Sequence, residues 1–180
     1  MFSLINLIGS DLHRYSGKKS FKLFIKTYLL SPGFQCIFWF RIVSKYNNNA
    51  LKYFLFRKMF KYGIEIHPGA QIGRELYIGH WVGIVISPKA VIGENCYISH
   101  GVTIGMINSG NNAGVPVIGD RVYIGAGAKI IGNIKIGNDV AIGANAVVTK
   151  DIPSGVTVGG VPAKIISSND SSGYIKWKIN

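Results

Sequence analysis

His80 and His100 are the side chains in this sequence best suited to move a proton. Each stands second after an isoleucine, in Ile78-Gly79-His80 and Ile98-Ser99-His100, and twenty residues separate them. An unperturbed imidazole titrates close to neutrality, so it can take the proton of a hydroxyl as that oxygen attacks a carbonyl carbon. A carboxylate on the other ring nitrogen fixes the tautomer and supports the imidazolium that forms; Glu65 is the candidate for that place. His80 is the first choice for the base, with His100 as the alternative. His13 reads as a surface residue of a helix and His67, before Pro68, as part of a turn.

The elements that must position these side chains follow from a six-residue repeat. Isoleucine recurs at 66, 72, 78 and 84, then at 86, 92, 98 and 104, then at 118, 124, 130, 136 and 142, with Val148 closing the series. Six is neither a helix period nor a plain strand period, and marks a repeat architecture. The fourth residue after each anchor except Ile84 and Ile104, which precede breaks in phase, is also small or apolar: Ala70, Leu76 and Val82, then Ala90, Cys96 and Val102, then Val122, Ala128, Ile134, Val140, Ala146 and Ile152. Two inward positions per hexad, often with Gly after the Ile, describe short strands and turns laid end to end. Three hexads close a triangular coil, and stacked coils align their isoleucines in ladders through a parallel β-helix.

Two phase slips interrupt the ladder. Ile84 to Ile92 is a step of eight, which places two surplus residues at Ser87-Pro88. Ile104 to Ile118 is a step of fourteen, one hexad plus eight, and the surplus falls in a loop rich in Gly and Asn that contains Asn108-Ser109-Gly110-Asn111-Asn112-Ala113-Gly114. A solenoid tolerates insertions at its corners, where they build sites, so 105–117 is expected to be the functional loop. With the shorter slip as a corner bulge, His80 and His100 occupy one corner on adjacent coils, about 4.8 Å apart by strand spacing. Ala126 and Ala144 continue that column, and the loop is expected to fold over it.

At 180 residues and 48% hydrophobic, the chain suits one or two small domains. Cys36 and Cys96 are far apart in sequence, and Cys96 is at an inward position, a pattern of a reducing compartment rather than of disulfides. No stretch approaches eighteen uninterrupted apolar residues. Met1 to Gly9 lacks the basic leader of a signal peptide, so the expectation is a cytoplasmic protein. The formal charge of +12 is concentrated early: residues 1–62 carry eleven Lys or Arg against Asp11 alone. That segment reads as helices broken at Ser16-Gly17, Ser31-Pro32-Gly33 and Asn47-Asn48-Asn49. Its aromatic residues are expected to pack the helices on one another and on the open end of the solenoid. Its cations, solvated on that reading, also leave open a peripheral contact with anionic lipid at a membrane face. Nucleic acid is not expected, because no binding motif accompanies the charge.

Residues 60–166, and more loosely the chain from Asp11 onward, resemble the serine acetyltransferase branch of the hexapeptide-repeat acyltransferases. The resemblance rests on Glu65-Ile66-His67-Pro68-Gly69-Ala70-Gln71-Ile72-Gly73, Gly79-His80-Trp81-Val82-Gly83-Ile84-Val85-Ile86, His100-Gly101-Val102-Thr103-Ile104-Gly105, the run from Ile124 to Ile134, and Gly159-Gly160-Val161-Pro162-Ala163-Lys164. It implies a mainly β fold, a left-handed parallel β-helix preceded by a small α-helical segment, with acetyl-CoA as donor, a homotrimer, and active sites between subunits. The domains expected are a basic α-helical segment at 1–62, a β-helix at 63–166 with the loop 105–117 inserted, and a tail at 167–180. His80 is the base by this resemblance, and Glu65 stands where the family has an Asp. Backbone N–H groups near Gly105 and Ala126 are expected to stabilise the oxyanion. Pantetheine is expected to pass the small side chains of Ala126 and Ala144 towards Lys150 or Lys164 for the CoA phosphates.

The chain also departs from the family. Gly79 replaces an acid that helps to hold the serine ammonium, Gly114-Val115-Pro116 replaces an Arg-His-Pro, and the helical-domain Asp that contacts serine has no clear counterpart. A free amino acid needs fixed charges opposite its own. The departures therefore lead to the expectation of a saccharide or lipid-linked saccharide acceptor, in an O-acetyltransferase of bacterial surface-polysaccharide synthesis. The alternative is serine O-acetylation for cysteine biosynthesis. Further rivals are a γ-carbonic-anhydrase-like metal enzyme, for which His80 and His100 supply two of about three ligands needed, and a non-catalytic membrane-associated subunit. No metal is expected.

Overall fold

The computed structural model describes residues 3–45, 54–57, 59 and 62–177. The break expected at Asn47-Asn48-Asn49 and most of the basic stretch at 52–61 lie outside the described residues. Three helices come first. In α1 (Leu4–Ser16) the Ser3 hydroxyl accepts from Asn6 N, and Gly17, at φ 69°, donates its N–H back to His13 O. Ser20 caps α2 (Phe21–Leu30) in the same way, and Pro32 opens α3 (Pro32–Val43) where its missing N–H costs no bond.

Fifteen strands of two to four residues follow. The first coil holds β1 (Ile64–Ile66), β2 (Gln71–Ile72) and β3 (Tyr77–Ile78), and the second β4 (Ile84–Ile86), β5 (Val91–Ile92) and β6 (Tyr97–Ile98). The third holds β7 (Thr103–Gly105), β8 (Val117–Ile118) and β9 (Tyr123–Ile124), and the fourth β10 (Lys129–Ile131), β11 (Lys135–Ile136) and β12 (Ala141–Ile142). β13 (Val147–Val148), a bridge at Ile152 and β14 (Thr157–Gly159) form the fifth, and β15 (Lys164–Ser167) returns antiparallel on β14. Corresponding strands stack in parallel into three sheets, in the orders β1-β4-β7-β10-β13, β2-β5-β8-β11 and β3-β6-β9-β12-β14. The Ile66-Ile86-Ile104-Ile130-Val148 ladder is buried throughout, and each such side chain contributes about 1.5–3 kcal/mol by leaving water.

The two-residue slip lies elsewhere than Ser87-Pro88. Ile78 pairs with Ile98 and Val85 with Thr103, so six residues lie between Ile78 and Val85 but four between Ile98 and Thr103. The surplus is therefore in the corner after β3, which carries His80. Ile84 takes the inward place expected of Val82, which is instead 63% exposed. Ser87–Ala90 stacks on His67–Ala70 as a corner of equal length, with Lys89 N bonded to Gly69 O.

The helices close the first coil, whose edge would otherwise leave backbone groups unpaired. The buried Arg41 guanidinium pairs with both oxygens of the buried Asp11 and donates to the carbonyls of Ile72 (2.7 Å) and Gly73 (2.6 Å). Asp11 also accepts from Leu76 N, and the Tyr15 hydroxyl bonds both N and O of Ile78. Cys36, Ile37, Phe40 and Met59 plug the end of the ladder. Among the described residues no helix is long and apolar enough to cross a membrane.

Candidate active site

His80 sits in the lengthened corner between β3 and β4. Tyr15 of α1 grips Ile78, two residues before it, through two hydrogen bonds of 2.9 and 3.0 Å, so the helical cap anchors the strand end from which the corner springs. His80 and His100 are both exposed, with ring centroids 5.7 Å apart and planes at 85°. With Trp81 and Val82 they line a shallow groove of about 270 Å³. His100 Nδ1 lies 3.5 Å from the Ser99 hydroxyl.

Above the histidines the corner is nearly free of side chains. Gly101 N bonds Val82 O, Gly127 N bonds His100 O, and Asn145 N bonds Ala126 O, so Val82, His100 and Ala126 stack with Ala144 beside Asn145. The stack turns through Gly83, Gly101, Gly127 and Asn145, each at positive φ. A Cβ on Gly127 would collide with the Asn145 side chain. At φ 72° glycine is favoured there, and it leaves the backbone open to a ligand. The column ends at the turn Gly160–Ala163, which exchanges backbone bonds with Val147, and Lys164 follows on β15. Lys129, facing outward, donates to Gly101 O and Thr103 Oγ1 and braces the same corner.

The remaining expected residues are not members of this column. Glu65 is exposed on β1 in register with Val85, three residues after Val82, and no ion pair joins it to His80 among the described residues. Gly105 ends β7, at the far end of that strand from His100. The loop 105–117 does not fold over the histidines within the protomer. A bridge between Ile107 and Gly114 closes it, and Asn112 rests on the next coils through Asn133 N and Thr149 O, beside Lys150. The physical reason is that His100 precedes β7 whereas the loop leaves its other end, a strand length of about 10 Å away.

Sequence reasoning did not single out Trp81, Tyr97 or Tyr15. One signal was present: Tyr77, Tyr97 and Tyr123 each precede a ladder isoleucine, and their rings stack in a column at 5.0 Å intervals. A Cβ at position 79 would collide with the Tyr97 hydroxyl. A phenol therefore occupies the space that an acidic side chain at position 79 would enter. Burial pushes the Tyr97 pKa upward, which keeps that hydroxyl neutral. Both cysteines are buried, and burial raises Cys96 to about 12 and Cys36 further. Among the described residues no group of three or more His, Cys, Asp or Glu is placed to hold a metal ion.

The family described as bacterial transferase hexapeptide (six repeats) matches residues 116–150. The chain is 43% identical over 146 residues to a serine acetyltransferase of Helicobacter pylori, covering 78% of this chain and 85% of the relative. It is 46% identical over 119 residues to a serine acetyltransferase of Mycobacterium tuberculosis, covering 65% of this chain and about half (52%) of that protein. Among solved structures, Neisseria gonorrhoeae serine acetyltransferase in complex with serine superposes with a TM-score of 0.79 at 38% identity, over 89% of this chain and 68% of that one. Brucella abortus serine acetyltransferase in complex with coenzyme A gives 0.80 at 34%, over 92% and 68%.

These relatives overturn the expectation of a saccharide acceptor in surface-polysaccharide synthesis and favour the serine alternative. That expectation equated the absence of charged side chains at positions 79 and 115 with the absence of an amino-acid site. Tyr97 fills the space beside Gly79, and Val115 belongs to a loop held away from its own protomer's histidines. Neither position can be judged from one chain's sequence alone.

Proposed function

The chain belongs to the serine acetyltransferase family of hexapeptide-repeat transferases, and on that premise we propose that it transfers an acetyl group from acetyl-CoA to the hydroxyl of L-serine. The observation that carries the reading is the exposed His80–His100 pair at the foot of an open corner, in a chain 43% identical to a serine acetyltransferase. His80 is the base. As the serine oxygen attacks the thioester carbonyl, a ring nitrogen takes its proton. The C–S bond then breaks, and the imidazolium returns the proton to the departing thiolate. Neither Cys36 nor Cys96 can act as a covalent relay, since both are buried as thiols.

The donor's pantetheine lies along Ala126 and Ala144, where the absence of side chains lets it meet the backbone, with Lys164 at the column's upper end for the phosphates. Glu65, on β1 beside the strand that leaves the His80 corner, is the carboxylate that orients His80, whereas Gly105, Lys150 and the loop 105–117 complete the site only when copies assemble. A homotrimer supplies this, because each loop then reaches the histidines of a neighbour. Tyr97 offers a hydroxyl acceptor to the serine ammonium in place of the family's acid, and His100 lies beside His80 to hold the carboxylate.

Mass spectrometry of the product formed from acetyl-CoA and L-serine tests the proposal, with oligosaccharides as competing acceptors. O-acetylserine as the main product supports it. Acetylated saccharide, with serine untouched at millimolar concentration (on the order of ordinary enzyme KM values), would refute it.

A further inference from the structure

The helix α2 is the outer layer of the helical cap, and among the described residues half of its surface has no partner. At 100° per residue, Leu23, Phe24, Thr27 and Tyr28 share the half that faces α1 and α3. Phe24 packs there on Phe34 and Phe38, and Tyr28 on Phe38. The other half carries Phe21, Ile25, Leu29 and Leu30, all exposed. Ile5 of α1 is exposed as well, one turn before Gly9, which faces Lys19. Ile5, Phe21, Leu29 and Leu30 are 68–82% exposed, an arrangement that water disfavours and that no packing among the described residues explains.

The charges around this patch have one sign. Lys18, Lys19, Lys22 and Lys26 are all exposed beside it. Asp11 is the only carboxylate before Glu65, and it is buried against Arg41. A second copy docking by the same face would bring lysines against lysines. A surface that is negative outside and apolar beneath suits both features at once. We propose that α2 docks the protein on an anionic lipid surface, with Phe21, Leu29 and Leu30 entering the headgroup boundary and Lys22 and Lys26 against the lipid phosphates. The proposal is independent of the acceptor, because α2 lies on the cap and not at the His80 corner.

Flotation of the full chain with vesicles tests it. One set is phosphatidylcholine alone and the other contains about one third phosphatidylglycerol. The chain should float with the anionic set only, and less as salt is added. Lys22→Glu with Lys26→Glu should weaken partition by at least about tenfold, since each cation near such a surface contributes about fivefold. Phe21→Ser with Leu29→Ser should weaken it at unchanged charge. Both variants should keep the acetyl-transfer rate of the parent in solution, which shows that they fold. Wild-type chain that ignores anionic vesicles, or a charge variant that binds them as well as the parent, would overturn the proposal. So would a lipid-free assembly larger than a trimer that these substitutions dissolve, because α2 would then cover a protein partner.

Discussion

Replacing Arg41 by Met should detach much of the coupling between the helical cap and the solenoid. Methionine keeps the apolar stem and removes four hydrogen bonds, two to Asp11 and one each to the carbonyls of Ile72 and Gly73. Asp11 then stays buried with only backbone donors from the coil, at Leu76 and Glu75, in place of a cation. Breaking one side of a buried pair costs about 3–5 kcal/mol, and each carbonyl left without a donor costs about 1–3 kcal/mol more. Water entry offsets part of this, which leaves an expected loss of about 4 kcal/mol or more. The loss should depend on pH. Burial already raises the Asp11 pKa against the pull of Arg41, and removing Arg41 raises it further. A carboxyl whose folded pKa lies above its unfolded value favours the fold at low pH and penalises it as pH rises through the folded pKa. Urea unfolding should therefore show a larger loss under mildly alkaline than mildly acidic conditions, and adding Asp11→Asn should recover part of it. A loss below about 1 kcal/mol at alkaline pH, with an unchanged denaturant slope, would refute the reasoning.

Ile124→Ala and Ile136→Ala should each cost about 2–5 kcal/mol in the same unfolding assay, because their ladder neighbours hold the cavity open. Lys129→Ala, which loses only bonds to Gly101 O and Thr103 Oγ1, should cost about 1 kcal/mol; equal losses would contradict the inward and outward assignment. Gly127→Ala should destabilise and slow turnover together, since its Cβ meets Asn145 at a positive-φ position in the corner above His100. A thermal melt with the midpoint of the parent would rule out that close approach. Native protein should release no colour with a thiol reagent and unfolded protein two equivalents, given that Cys36 and Cys96 are buried and burial holds Cys96 at about 12. Fast labelling of the native chain would disprove their burial.

The architecture was legible because nearly every hexad repeats the same two inward positions, and so was the corner that His80 and His100 share, although Val82 and not His80 stacks on His100 in the column, because the surplus residues lie in His80's own corner. The site of the two-residue slip was not. Ile84 and Ile86 both point inward from β4, as Ile64 and Ile66 do from β1. Either isoleucine satisfies the ladder chemistry, so the period alone could not show whether the surplus precedes or follows them. The spacing from Ile104 to Ile118 located the loop's corner but not its resting place, which Asn112 settles through contacts to the next coils. Charge counting marked Asp11 as the lone acid among eleven cations but could not choose its partner. The acceptor was misread for a similar reason: Gly79 looked like an empty place, and Tyr97, eighteen residues on, fills it.

The central claim is that His80 takes the proton of serine's hydroxyl. The direct measurement is the serine-dependent rate of thiol release from saturating acetyl-CoA, compared between the parent and His80→Ala in assemblies of equal mass. The account predicts serine-dependent turnover in the parent and a kcat lower by about 10²- to 10⁴-fold in the variant, the usual contribution of a positioned base. Stability should be unchanged, because the His80 side chain is exposed at a corner and outside the ladder. A variant that turns over serine at the parent's rate would contradict the account and move the base to His100.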